Sequence, residues 1–358
     1  MMVLLGTVGC KPKDDQGSST TEFDRKAMLT HISENLIQVN YTILNSKATL
    51  LKQKAMDYSN QPDLQNLAAL RTGLLDCQLA YQGCSTFEFG PAATHSLRSV
   101  LNTYPTSTSI VESNIISGSY DLFSAGNIAA KGLPALEYLI FGDQKSDQEI
   151  IDLFTTDANH LNRKKYLNDV AEQIATAVTN VHNGWNNEGY NQTFVNSDGT
   201  AVGSSTSLWI NALVLDFERY IRDGKVGIPV GVRSLGIPNP EKTEAYYSAK
   251  SLGLLKESLT QYKNAFNGLT TKGVNGLSLD DYLTHVGAGN TAQNINSQLD
   301  LALEKVNTLT GPLSQDVVDN KQQVKEAYDE LQKTIVLLKV EMPSALSVLI
   351  TYQDSDGD

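Results

Sequence analysis

The chain has 358 residues, of which 41% are hydrophobic and 19% charged, and its formal net charge is -12. That length supports a substantial buried core, arranged as two ordinary domains or one large helical one, while the acidity, with no basic stripe to offset it, excludes nucleic acid as a partner. Beyond residue 9 no apolar run approaches the roughly 18 residues that cross a bilayer, and no nucleophile elbow, Walker loop or dinucleotide fingerprint is present to support common hydrolase, nucleotide or redox chemistry.

The first ten residues form a short apolar run that closes on small residues before Cys10, like the end of a lipoprotein signal. On that reading Cys10 is the lipidated N-terminus that attaches the protein to a membrane, and residues 1–22 comprise the signal end and a flexible polar tether. The competing reading is an accidental cysteine in a cytoplasmic protein.

Helical periodicity dominates the rest of the chain. Residues 23–58 place Met28, Ile32, Leu36, Val39, Ile43, Leu50 and Leu51 on one stripe of a long amphipathic helix. A second helix fits residues 62–81, started by Asn60 or by Gln61 and Pro62. Gly, Pro, Ser and Thr break the pattern at 83–91 and 102–109, and helix resumes over 110–116 and 127–141. Further helices fit 147–153 and 163–186, the latter with Leu167, Val170, Ile174, Val178 and Val181 on one face. Residues 187–207, rich in Asn, Gly, Ser and Thr, read as the main loop and divide an N-terminal helical domain, 23–190, from a C-terminal one, 191–358, the alternative being an earlier seam near Asp157. Helix returns over 208–222. Residues 224–240 carry so many Gly and Pro residues that they read as an irregular excursion. Helices then fit 243–267, 291–309 and 315–342, the last with Val317, Val324, Tyr328, Leu331, Ile335 and Leu338 as its stripe. Strand-like composition is confined to 226–232 and 348–352, so the expected class is all-α, two helical bundle-like domains packed together.

Within residues 131–142, an almost wholly apolar helical segment, Glu137 is the one carboxylate. A buried carboxylate requires a partner, either an arginine or backbone amides in a structural role, or a ligand in a functional one. Pro134 suits the first turn of that helix, where its missing N–H costs nothing. Cys77 and Cys84 lie seven apart around Gly83 and either bridge across a helix end or remain free. The five histidines are scattered, and His31 with Glu34 reads as a coincidental H-x-x-E. The acidic end, Asp354, Asp356 and Asp358, reads as a polar tail lacking the rest of a calcium loop.

The segment from Gly132 through Pro134 and Glu137 to Tyr138 resembles the GxHxxE signature of the imelysin-like family of bacterial envelope proteins, with proline where the histidine stands. Phe87-Glu88-Phe89-Gly90-Pro91-Ala92 is similar to that family's phenylalanine-rich turn, residues 216–229 to its second-half segment, and residues 342–358 to C-termini of its members from the Bacteroidetes. The resemblance implies two helical bundle-like domains, a site at their junction, export to the cell envelope and a link to iron uptake and its components. It implies iron or another divalent metal as the ligand, and the site candidates are Gly132, Pro134, Glu137, Tyr138, Glu88, Glu218 and Arg219. A buried Glu137 needs a cation: either Arg219 supplies it, or Glu218 and Arg219 form a solvated helical ion pair. Some members are described as peptidases, and Pro134 removes the histidine on which that chemistry rests.

Overall fold

The structure, a computed structural model, describes residues 22–352. Cys10, the proposed tether and the acidic tail lie outside these residues. The described residues form helices joined by turns and loops and contain no strand, their one β-like contact being an isolated bridge between Leu269 and Asn275. None of their helices is long and apolar enough to cross a membrane.

The long first helix starts where the side chain of Asp24 accepts the Ala27 N–H at 2.8 Å, capping one of the unsatisfied first-turn donors. It widens into π-type turns over Ile32–Ile37 and continues as Gln38–Asn60. The extra residue in the wide turn rotates everything after it. Met28, Ile32 and Leu36 are buried as the stripe predicts, but Ile43 and Leu50 face solvent, and Tyr41, Leu44, Ala48, Leu51 and Ala55 take the inner face. The next helix, Leu64–Gln82, is capped by Asp63, which accepts the Asn66 N–H, so Asn60 and Pro62 precede it rather than start it.

Gln38–Asn60 packs against His160–Asn186 and Leu64–Gln82, and the signature helix Gly132–Phe141 lies on the same assembly. In the second half, Ser251–Phe266, Gly289–Asn307 and Lys321–Val336 pack together and against the wide-turned segment Asp216–Gly227. One hydrophobic cluster runs from Met28 to Val348 through both halves. The start of the first helix belongs to both: Phe23 stacks on Tyr282 at 4.6 Å, and His31 Nε2 bonds to the Gly268 carbonyl at 2.8 Å. That contact gives the H-x-x-E pair of His31 and Glu34 a structural role for its imidazole.

Several boundaries differ from the sequence expectation. The predicted helix over 127–141 is interrupted: Ala125–Ala130 is a 3-10 segment, and Lys131 is extended before Gly132. The loop expected over 187–207 contains the helix Tyr190–Asn196, because Phe194 is drawn inward to stack on Phe89 and meet Trp185 edge-on. Residues 224–230 are helical, not irregular. Gly224 and Gly227 serve close packing there: a Cβ would lie 3.3 Å from the Tyr104 hydroxyl and 2.7 Å from the Tyr328 ring, respectively. The helix predicted over 315–342 breaks at Asn320, between Leu313–Asp319 and Lys321–Val336.

Cys77 and Cys84 are buried and unbridged, so the bridge entertained from their spacing is not formed. Burial pushes the Cys77 thiol up to about 12 and the Cys84 thiol well above its ordinary value, which keeps both protonated and unreactive.

Candidate functional site

The signature helix is held in place by its first residue. Gly132 has φ +76, and a Cβ there would stand 2.5 Å from the carbonyl oxygens of Val100 and Leu101, so only glycine permits this approach. Pro134 follows in the first turn, buried and without ligand character. Glu137, one turn on, is 1% exposed. Its Oε1 accepts the backbone N–H of Ser248 at 2.8 Å and the Ser248 hydroxyl. Burial raises its carboxyl to about 7, against the lowering effect of both Ser248 bonds and with a further upward push from the Glu244 charge. The neighbouring Tyr138 turns away and donates to Glu112, which Arg163 grips through two N–H···O contacts of 2.6 and 3.0 Å.

Ser248 lies in a turn that the periodicity assigned to a helix over 243–267. The helix begins only at Ser251, and Ala245 (φ +50) and Ala249 (φ +58) bracket the turn in left-handed backbone. Such conformations persist in non-glycine residues only where surrounding contacts enforce them. Two contacts do so: Glu137 takes both donors of Ser248, and the buried Glu244 forms an ion pair with buried Lys225. Asn102 Nδ2 donates to Glu244 Oε1 at 2.7 Å, and Gln82 Nε2 lies 3.4 Å from the same oxygen.

Alongside lies a second polar cluster, built from the aromatic turn and the second-half segment. Asp216, 1% exposed, receives Arg98 Nη2 at 2.7 Å on one oxygen and the Ser85 hydroxyl at 3.1 Å on the other. The same Arg98 nitrogen donates to the Ser85 carbonyl at 2.7 Å, and the guanidinium lies 3.7 Å from the centre of the Tyr220 ring. Glu88 accepts the Tyr81 hydroxyl at 2.9 Å. Burial raises the Glu88 carboxyl, while Arg98 and the Tyr81 bond oppose that rise. A cleft of about 200 Å³ opens here, lined by Glu88, Ser96, Arg98, Ser99, Asp216 and Tyr220 among others. Tyr104 lies between the clusters, its hydroxyl raised chiefly by burial and next by the Glu244 charge.

The candidates therefore separate. Glu88 reaches the cleft, while Glu137 is engaged by Ser248. Glu218 and Arg219 are not brought to Glu137: the Glu218 carboxylate takes Lys339 Nζ at 3.0 Å and the Tyr352 hydroxyl at 2.6 Å, and Arg219 lies 6.0 Å from the centre of the Tyr352 ring. Asp216 and Glu218, two apart, point to different sides of one helical segment, the first toward Arg98 and Ser85 and the second toward the C-terminal residues. Arg98, Ser248 and Glu244 carried no motif in the sequence, and Lys225 was marked only as part of the second-half segment. Asp216 heads the second-half segment, and that position was its only signal.

Among the described residues no three His, Cys, Asp or Glu side chains converge as a cation site. Glu137 has two Ser248 donors on one oxygen, and Glu244 is committed to Lys225. These donors do not fit a divalent metal held by protein ligands at the signature, nor the three-ligand arrangement that activates a metal-bound water.

In overall architecture the chain is similar to two crystal structures. One is an imelysin-like protein from Psychrobacter arcticum 273-4, with TM-score 0.71, 16% identity and coverage of 92% of this chain and 97% of that one. The other is a "putative iron-regulated protein A precursor" from Parabacteroides distasonis ATCC 8503, with TM-score 0.71, 18% identity and coverage of 93% and 97%. No curated protein is significantly similar in sequence. The Imelysin (Peptidase_M75) family model matches residues 37–340, most of the length, and the chain belongs to the imelysin family.

Proposed function

We propose that this protein is an envelope-anchored binding protein of iron uptake, and that its ligand enters the cleft between Glu88, Arg98, Asp216 and Tyr220. The observation that carries the reading is the meeting of buried charge from both halves of the chain, Arg98 with Asp216, beside the second-half pair Lys225–Glu244 and the raised carboxyls of Glu88 and Glu137. In the cleft two carboxyl groups, Glu88 and Asp216, face one cation, Arg98, which favours a ligand that brings positive charge or hydrogen-bond donors. The cargo that suits this donor set is iron carrying its own coordination shell, as a hydrated ion or a small chelate, met by Glu88 and positioned by Arg98 and Tyr220. The name of the Parabacteroides neighbour supports the link to iron. Lipidation at Cys10 would hold the body at the membrane, within reach of iron-uptake components.

Metal content after desalting tests this reading. Protein incubated with ferrous salt or ferric citrate retains iron in one of the two forms, and Glu88→Gln lowers retention about tenfold, a loss matching one charge-assisted hydrogen bond. Absence of retention in both forms refutes it.

A further inference from the structure

The loop over residues 231–237, far along the chain from the signature, holds apolar side chains out into water. Leu235 is 101% exposed and Ile237 66%, and Val232 beside them is exposed as well. Single exposed aliphatic residues are ordinary, but three on one tight loop form a patch. The loop is built rather than loose. Gly231 and Gly236 are left-handed, and Leu235 shares that conformation at φ +53, where a branched side chain is disfavoured. The base is tied by Val232 N–H to the Gly227 carbonyl at 2.9 Å, by Gly236 N–H to the Gly231 carbonyl at 2.9 Å and by Asn239 N–H to the Pro229 carbonyl at 2.8 Å. The Ser234 hydroxyl donates to the Ile237 carbonyl, and Lys321 Nζ donates to the Gly236 carbonyl.

Behind the loop lies a cleft of about 650 Å³, lined by Val230, Val232, Lys321, Lys325, Tyr328 and Asp329 among others. Two lysines and one carboxylate, Asp329, line it, and Arg233 on the loop pairs with Asp223 at 2.9 Å. A net positive cleft beside a rigid apolar tip stands out in a chain with formal net charge -12. Apolar tips flanked by cations match the boundary of an anionic bilayer, where hydrocarbon lies beneath phosphate.

We infer that residues 231–237 dock onto an anionic phospholipid surface, with Leu235 and Ile237 entering the headgroup–acyl boundary and Lys321 and Lys325 taking lipid phosphates in the adjoining cleft. This contact is separate from lipidation at Cys10 and orients the body of the protein on the membrane.

Co-sedimentation of the full chain with vesicles tests the inference, using pure phosphatidylcholine and an equimolar mixture with phosphatidylglycerol. The unaltered protein partitions preferentially onto the anionic vesicles. The pair Leu235→Ser and Ile237→Ser reduces that partition about tenfold, and the pair Lys321→Gln and Lys325→Gln abolishes the preference for phosphatidylglycerol. Unchanged melting temperatures confirm that the variants fold. Equal partition of the unaltered protein onto both vesicle types, or variants that sediment like it, overturns the inference. So does a dimer in gel filtration that Leu235→Ser dissociates, since a second copy would then occupy the patch.

Discussion

Ser248 donates its backbone N–H and its hydroxyl to the same oxygen of Glu137, joining the signature helix to the turn that opens the second-half helix Ser251–Phe266. Glu88 and Asp216 line a separate cleft. Removing the hydroxyl with Ser248→Ala leaves one donor on a buried carboxyl and costs about 1–3 kcal/mol. Chemical denaturation reads this directly, and a loss indistinguishable from zero would mean that the turn is held without Glu137.

Glu137 makes stability depend on pH in a defined direction. Its folded value is raised to about 7, above the ordinary 4.5, so the folded state holds the proton more tightly than the unfolded chain. Its contribution is full below about 4.5, falls as pH rises through about 7, and is flat above, a total on the order of 3 kcal/mol. Glu137→Gln removes this component. Denaturation of the two proteins at a series of pH values shows their stability difference shifting in the variant's favour across that window, and parallel curves would contradict the assignment.

Lys225 and Glu244 are both buried, and neither tolerates loss of the other. Lys225→Met strands the Glu244 charge with only amide donors and costs about 3–5 kcal/mol, whereas the double change with Glu244→Gln recovers most of that loss. A double-mutant cycle by thermal or chemical denaturation measures the coupling, and additive single effects would show that the pair does not act as a unit.

Restoring the family histidine does not restore a metal site. Pro134→His supplies an imidazole one turn before Glu137, but the described residues bring no third ligand. Calorimetric titration with zinc or ferrous iron therefore finds the same affinity in the variant as in the unaltered protein. A new saturable site in the variant would reverse this conclusion.

Gly132→Ala adds a Cβ at 2.5 Å from two backbone carbonyls and at positive φ. Backbone cannot yield as a flexible side chain does, so the loss exceeds about 3 kcal/mol. A melting temperature close to that of the unaltered protein would show that the signature glycine has room.

The helical class was legible because long apolar periodicities survive tertiary packing; Val317, Val324, Leu331, Ile335 and Leu338 are all buried where the stripe places them. The first stripe is only partly right because the wide turn at Ile32–Ile37 adds a residue to the winding, and no local propensity marks that insertion. The site is less legible for a related reason. Ala245 and Ala249 are strong helix formers, so residues 243–267 read as one helix, yet the buried bonds of Glu244 and Ser248 hold both alanines left-handed. Glu137 was recognisable as a carboxylate needing a partner. That partner was a serine from a turn that reads as helix and carries no motif, and Arg98, the cation of the cleft, lies in a short helix that announces nothing about its contacts.

On our proposal iron enters the Glu88 cleft and does not bind the signature carboxylate. Anomalous diffraction at the iron edge, from crystals soaked in ferrous salt or ferric citrate, distinguishes the two positions most directly. The expected result is an iron peak in the cleft bounded by Glu88, Arg98, Asp216 and Tyr220; an iron peak coordinated by Glu137, or none in either soak, would contradict the proposal.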